Sequence, residues 1–145
     1  MHKQPGAVGD QADPAPFALV NGRLALPDRI VEDQALIVAA GKIAGFAPVA
    51  ALDPALPRCD AGGRLVTPGL VDIHIHGALG HTFNEPTTAA FATITRLLAQ
   101  HGVTSLLATT ATDALENLTA VLAFAQAWMQ TPLDGQHAQI LGVHV

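Results

Sequence analysis

The second half of the chain alternates between segments with helical spacing and segments with strand-like spacing of apolar residues. Apolar residues recur every three or four positions across 87–100, with Pro86 ahead of the segment and Gly102 behind it. A second amphipathic stretch covers 113–130. Shorter apolar runs typical of strands precede, separate and follow these helices: 66–77, 103–108 and 139–145. This order predicts a β-α-β-α-β unit with parallel strands.

The first half of the chain shows short strand-like runs separated by turn signals. The runs 17–20 and 23–26 flank Asn21-Gly22, the strongest two-residue signal for a β-hairpin. A second candidate pair is formed by 35–38 and 43–46. We therefore expect a small all-β module ahead of the α/β segment.

The apolar run 66–77 contains three polar residues, Asp72, His74 and His76. Because successive side chains of a strand point to opposite faces, these three are expected to share one face, opposite a wholly aliphatic one. Two neutral imidazoles held on one rigid strand can bind a divalent ion, and Asp72 could orient a ligand or hold a water. The competing interpretation is a pair of surface histidines. Apolar flanks favour a strand covered on both faces, where a metal would satisfy both imidazoles.

Composition limits the possible functions further. The 145 residues are 50% hydrophobic and 13% charged, and the mean hydropathy of +0.35 is high for a free-standing soluble domain. No apolar run approaches the ~20 residues needed to span a bilayer, and no hydrophobic signal core follows Met1, so we expect a cytoplasmic protein. The net charge of −5 disfavours partners such as nucleic acid or an anionic membrane. Cys59, the only cysteine, cannot form an internal disulfide.

The remaining histidines are interpreted one by one. Three are expected to be exposed to solvent: His2, His81 and His137. His101 is expected in the last turn of a helix, where the dipole favours a cation. None of these four is predicted to be a ligand, and His81 is the weakest exclusion because the loop after a barrel's first strand faces the active site. His144 is expected to point inward and support the site.

Three ordered motifs resemble the metal-dependent amidohydrolases, and among them the N-acetylglucosamine-6-phosphate deacetylases. The first is a PG-(aliphatic)2-D-x-H-x-HG strand at 68–77, and the second is an HG-(T/V)-T junction at 101–104. The third is the start of G-x-H-x-E-G-P, supplied by 142–145. The resemblance implies an α/β fold, a (β/α)8 TIM-type barrel represented here by its first three strands and two helices. A doubly wound nucleotide-binding fold would need a GxGxxG turn, and 77–80 lacks that spacing.

The resemblance also implies a domain organisation. We expect a disordered tail at 1–16, part of a small β-sandwich at 17–66 and the first part of the hydrolase barrel at 67–145. The strands that would complete the sandwich belong to the family's C-terminal region.

The implied reaction is hydrolysis of N-acetylglucosamine 6-phosphate to acetate and glucosamine 6-phosphate, a step of amino-sugar metabolism. The implied cofactor is a divalent metal, zinc first, with iron, manganese or cobalt as alternatives. His74 and His76 match the family's first-strand metal pair. Asp72 and His144 would support these ligands without binding the metal themselves. The implied partners are the amino-sugar phosphate substrate and, for a full-length protein, a second copy of the chain.

Other residues of the family's site fall outside this sequence. The bridging glutamate would follow Val145, and the general-base aspartate and phosphate-binding residues would lie further on. We therefore expect no catalytic residue and no activity in this chain alone, because two histidines leave zinc short of its usual three protein ligands. Two alternatives stay open: another amidohydrolase, such as a dihydroorotase or dipeptidase, or a non-catalytic fragment that oligomerises through an open sheet edge.

Overall fold

The computed structural model describes residues 14–131 and 135–145, which fall into two compact units. The first unit is Met1–Pro68 and the second is Gly69–Val145. The tail predicted at 1–16 lies almost entirely outside the described residues. Within the described ranges, no helix is both long and apolar enough to cross a membrane.

The described part of the first unit is built from short strands, in agreement with the predicted all-β module. The strands are β1 (Phe17–Val20), β2 (Arg23–Ala25), β3 (Ile30–Val31), β4 (Gln34–Ala39), β5 (Lys42–Pro48), β6 (Arg58–Asp60) and β7 (Leu65–Val66). They form one sheet in the order β5-β4-β1-β6 and another in the order β3-β2-β7. A single 3-10 turn, Val49–Ala51, follows β5.

One of the two predicted strand pairs is confirmed. Strands β4 and β5 are antiparallel, and the turn between them uses positive φ at Ala40 (49°) and Gly41 (67°). The hairpin predicted around Asn21-Gly22 is wrong, because β1 pairs with β4 and β6 whereas β2 pairs with β3 and β7. A Cβ at Gly22 would lie 2.9 Å from Val66 Cγ2. Glycine at this position therefore allows a close approach of β7, and the chain passes from one sheet to the other.

The second unit has the predicted β-α-β-α-β order. Its elements are β8 (Leu70–Ile75), β9 (Gly77–Ala78), β10 (His81–Thr82), α1 (Thr88–Gln100), β11 (Val103–Thr109), α2 (Leu115–Met129) and β12 (Gln139–His144). The main sheet has the order β12-β11-β8, and both of its pairings are parallel. Strands β9 and β10 form a separate antiparallel pair.

The two helices begin differently. Thr87 caps α1, and its hydroxyl accepts a hydrogen bond from the backbone N–H of Ala90. The spacing of 113–116 predicts a capping box for α2, but the N-cap is Ala114 and makes no side-chain cap. The Asp113 carboxylate has other partners, since it accepts hydrogen bonds from the side-chain amides of Asn84 and Asn117.

Aromatic side chains dominate the core of the second unit. Phe91 is fully buried, and its ring centroid lies 5.0 Å from Phe83, 4.9 Å from Phe124 and 5.7 Å from Trp128. Leu106 of the central strand belongs to the same cluster. The apolar stripe of α1 therefore consists largely of core positions that pack on the sheet. The stripe predicted for α2 is only partly buried, because three of its apolar residues are exposed: Leu115, Leu122 and Met129.

Candidate metal-binding site

The two predicted ligands, His74 and His76, lie at the C-terminal end of β8. His74 is part of the strand and His76 follows its last residue. The neighbouring strand fixes this end of β8, because the backbone N–H of Ile75 donates to Thr109 Oγ1 at 3.1 Å. Both histidine side chains are exposed. Two accessible imidazoles therefore lie at the C-terminal end of β8, which the hydrogen bond to β11 holds in place.

The spacing of the two rings suits a shared metal ion. Nε2 of His74 lies 3.2 Å from Nε2 of His76, and the ring planes are inclined at 80°. Two nitrogens that are each ~2.05 Å from one tetrahedral zinc ion are about 3.3 Å apart. The observed separation is that of a hydrogen bond between the two rings, and it also matches what two ligands of one ion require.

The alternation of side chains along β8 is interrupted beside the histidines. Leu106 is aligned with Asp72 and Ala108 with Ile75, so two steps along β11 match three along β8. The expectation that Asp72 shares a face with both histidines stays a prediction at this irregularity. Oδ1 of Asp72 accepts a hydrogen bond from the backbone N–H of His74 at 3.0 Å. Asp72 thus fixes the backbone of His74 rather than its imidazole.

His144 lies beside the pair, although it is 68 positions or more away along the sequence. Its ring centroid is 4.8 Å from that of His74, and the two planes are nearly perpendicular at 87°. A register shift in the pairing of β12 with β11 aligns His144 with Thr109. The backbone N–H of Thr110 donates to the carbonyl of His144 at 3.0 Å. The ends of all three parallel strands thus converge on the histidines.

The described residues provide two candidate ligands for an ion. Among them, no group of three or more His, Cys, Asp and Glu side chains is arranged to hold one metal. The donor chemistry of His74 and His76 fits zinc or a similar divalent metal, whose catalytic sites normally use three protein ligands. Two candidate ligands are one fewer than such sites normally use.

A short hairpin that the sequence analysis did not predict follows His76 directly. Strands β9 and β10 pair through Thr82 and Gly77, and the turn uses positive φ at Leu79 (52°) and Gly80 (80°). A Cβ at Gly77 would collide with the His81 carbonyl oxygen. The available signals were the glycine directly after the second histidine and the Leu-Gly turn.

The hairpin is anchored in the core. The backbone N–H of Phe83 donates to the His76 carbonyl at 2.8 Å, and the Phe83 side chain is fully buried. This anchor holds the chain on the C-terminal side of His76 in place, just as Asp72 holds it on the N-terminal side of His74.

His81 and His137 differ from the expectation that both are solvent-exposed. His81 is half-buried, and its Nδ1 lies 3.1 Å from Glu85 Oε2. Hydrogen bonds from His81 and from the backbone N–H of Thr82 hold the pKa of Glu85 below its ordinary value. His137 is also half-buried, with Nδ1 2.9 Å from the hydroxyl of Thr95. Glu85, just after the hairpin, and Thr95, on α1, are the polar partners that account for both corrections. The local sequence does not indicate these contacts.

The residue Asn84 ties two loops together and was missed from the sequence. Its side chain donates to the Asp113 carboxylate at 2.9 Å and accepts from the backbone N–H of Ala111 at 2.8 Å. Asn84, then the backbone N–H of Ala114 and then Asn117 lower the pKa of Asp113. The segment after β10 is therefore bonded to the segment after β11, on the side of the sheet where the histidines lie.

Comparisons with known proteins find two kinds of enzyme that are similar to part of this chain. The chain is 37% identical over 92 residues to N-acetylglucosamine-6-phosphate deacetylase of Mus musculus, which covers 59% of this chain and 21% of that protein. It is 51% identical over 57 residues to imidazolonepropionase of Cupriavidus pinatubonensis, covering 37% of this chain and 14% of that protein. No family model matches the chain.

A solved structure shares the fold over most of the chain. The N-acetylglucosamine-6-phosphate deacetylase of Pasteurella multocida superposes with a TM-score of 0.78 over 89% of this chain, at 24% identity. The resemblance to part of the N-acetylglucosamine-6-phosphate deacetylases is confirmed. The chain spans 33% of that structure and 21% of the mouse deacetylase. The imidazolonepropionase match adds a hydrolase class that the sequence analysis did not consider.

Proposed function

We propose that this chain is part of a metal-dependent amidohydrolase that releases acetate from N-acetylglucosamine 6-phosphate. The observation that carries the proposal is the 3.2 Å spacing of the His74 and His76 nitrogens at the end of a parallel strand. The similarity to deacetylases supports the choice of substrate. The proposal includes the reading of β8, β11 and β12 as the first strands of a (β/α)8 barrel, whose active sites lie at the C-terminal strand ends.

The residues of this chain would supply part of the metal site. His74 and His76 would hold a divalent metal through Nε2, with zinc as the first choice. Bound there, the metal supplies Lewis-acid chemistry that activates water and polarises an amide carbonyl. Asp72 would keep the His74 backbone in place, and the edge of the His144 ring would restrict the rotation of His74.

We assign the proton-transferring base to a later strand and not to a residue of this chain. In the proposed reaction, an aspartate at the end of a later strand takes the proton of the attacking water and passes it to the leaving amine. The activity therefore belongs to a protein that includes those later strands. The cytoplasmic location and the homodimer stay predictions of the sequence analysis.

An imidazolonepropionase-type activity is the second candidate. It is favoured by the match of 51% identity, which is higher than the 37% of the mouse deacetylase but covers 57 rather than 92 residues. The histidine pair fits either reaction, because both proposals place the same metal chemistry on a carbon–nitrogen bond.

The first experiment is to read the coding DNA beyond the codon for Val145 and to express the longest in-frame product. We expect the codons for Glu-Gly-Pro to follow, and we expect the zinc-loaded product to release acetate from N-acetylglucosamine 6-phosphate. Imidazolonepropionase activity without acetate release would select the second candidate. If the zinc-loaded product with its later strands has neither activity, the proposal is wrong.

A further inference from the structure

Thr109 is a buried polar residue at the C-terminal end of β11. It is 2% exposed, and the preceding Ala108 is fully buried. A hydroxyl in such a place costs free energy unless it is hydrogen-bonded. The Thr109 hydroxyl accepts from the backbone N–H of Ile75 at 3.1 Å and donates to the Leu107 carbonyl at 3.3 Å. Because one bond uses the lone pair of the oxygen and the other uses its proton, the hydroxyl is held in one orientation.

The residue that Thr109 holds lies between the two candidate metal ligands, since Ile75 separates His74 from His76. Strand β8 is at the edge of the described sheet β12-β11-β8, with β11 as its neighbour. The pairing of these two strands is irregular just before Ile75, and a slip by one residue would turn side chains to the opposite face. The bond to Thr109 therefore fixes the register of β8 at the point on which both imidazoles depend.

The same end of β11 also holds the third strand. Thr109 is aligned with His144 of β12, and the backbone N–H of Thr110 donates to the His144 carbonyl at 3.0 Å. The His144 ring in turn lies 4.8 Å from the His74 ring, measured between centroids. Two consecutive threonines thus connect the central strand to both neighbouring strands at the level of the histidines.

We propose that Thr109 is a positioning residue, whose hydroxyl holds His74 and His76 at the spacing at which both Nε2 atoms can bind one divalent ion. Binding of the ion itself rests on the proposed function, whereas the 3.2 Å spacing belongs to this chain. Residues that orient metal ligands without touching the metal typically change its affinity by about 10- to 100-fold when they are removed. A role of this kind is therefore measurable.

The test compares the wild-type chain with Thr109→Val, which keeps the shape but loses the hydroxyl, and with Thr109→Ser, which keeps the hydroxyl. Isothermal titration measures zinc affinity. The nuclear Overhauser effect between the ring protons of His74 and His76 measures their contact in the metal-free protein. We expect Thr109→Val to weaken zinc binding about tenfold and to reduce the ring contact. Thr109→Ser should retain both.

Thr95→Val is the matched control, because Thr95 is also buried and its hydroxyl bonds to the Phe91 carbonyl and to His137 rather than to β8. It should lower the urea midpoint and leave zinc affinity and ring contact unchanged. Equal losses in the two valine variants would overturn the inference, because general destabilisation would then explain them. Thr109→Ala removes the hydroxyl without placing a methyl group against the Ile75 N–H, and it replaces Thr109→Val if that variant does not fold.

The two measurements separate this inference from the proposed function. If the wild type binds no zinc, the metal site is wrong, and the ring contact in the metal-free protein still decides the role of Thr109. If the wild type binds zinc and loss of the hydroxyl changes neither affinity nor ring contact, the inference is wrong and the metal site stands. Absence of the ring contact in the wild type would also overturn the inference.

Discussion

The two units of the chain differ in where they carry charge and where they carry chemistry. Residues 1–68 contain six of the seven lysines and arginines, whereas residues 69–145 contain six of the seven histidines. The cluster of buried residues that packs at the sheet β5-β4-β1-β6 is small: Ala18 and Ala35 of the sheet itself, and Leu52 after the 3-10 turn. The core of the second unit contains large aromatic side chains, so it is the stiffer support for a site that must keep two imidazoles in register.

The largest expected effect tests this difference in core packing. Phe91→Ala should destabilise the second unit by about 3–5 kcal/mol, because it removes a fully buried ring that contacts three other aromatic rings. The matched change in the first unit, Phe46→Ala, removes a ring that is 43% exposed and should cost less than about 1.5 kcal/mol. Urea unfolding followed by circular dichroism measures both. Equal losses would contradict the contrast between the units.

The next effect tests the assignment of chemistry to the second unit. His76→Ala should lower zinc affinity at least ~100-fold, because it removes one of two nitrogens that lie 3.2 Å apart. His144→Ala should lower it only about tenfold, through loss of the ring that packs against His74.

Isothermal titration with zinc measures these affinities, and His101→Ala is the control because this exposed histidine lies at the end of α1. Removing zinc with a chelator should leave the circular dichroism spectrum unchanged, because the core is aromatic and aliphatic. Equal zinc affinity in the wild type and in His76→Ala would contradict the assignment of a metal site to this unit.

A smaller effect is expected from the hairpin that holds the histidine pair. Gly77→Ala should destabilise the second unit by about 1–3 kcal/mol, because a Cβ there would collide with the His81 carbonyl oxygen. It should also weaken zinc binding, since the hairpin holds His76. The control is Gly142→Ala, where a Cβ would meet Leu107 Cδ2 at an ordinary 3.5 Å. If both variants unfold at the same urea concentration, the hairpin does not depend on this close approach.

These positions also separate what the sequence could predict from what it could not. The periodicity of 87–100 and of 113–130 predicted two helices that the structure contains, because helical spacing is a property of residues within one segment. Asn21-Gly22 misled for the opposite reason: the partners of β1 are β4 and β6, and both lie 14 or more positions away along the sequence.

The candidate site divides in the same way. His74 and His76 were predicted because a strand brings alternate residues together. The contact between Asn84 and Asp113 and the pairing of His81 with Glu85 depend on how the hairpin folds back. The only local signals for that turn are Gly77 and Gly80, which flank Ala78 and Leu79. These polar partners could therefore only be found in the structure.

The smallest expected effect concerns one exposed carboxylate in each unit. Asp60 has its pKa lowered by the backbone N–H of Gly62, then by Asn21, and Asp113 has its pKa lowered by Asn84 first. A lowered carboxyl pKa stabilises the fold above the ordinary value of 3.8, and this contribution is lost as the pH falls through the lower, folded-state pKa. Asp113→Asn should therefore reduce the acid sensitivity of the second unit, and Asp60→Asn that of the first.

Urea midpoints between about pH 5 and pH 2, followed at the amides of each unit by NMR, measure these contributions. In the wild type, both units should lose stability as the pH falls, and each variant should flatten that slope in its own unit alone. Both carboxylates are exposed, so solvent screens the effect and a modest change of slope is the expected size. A variant that flattened the pH dependence of the urea midpoint in both units would mean that the two units unfold as one cooperative body. The contrast between their cores would then be a difference in packing and not a difference in the stability of each unit.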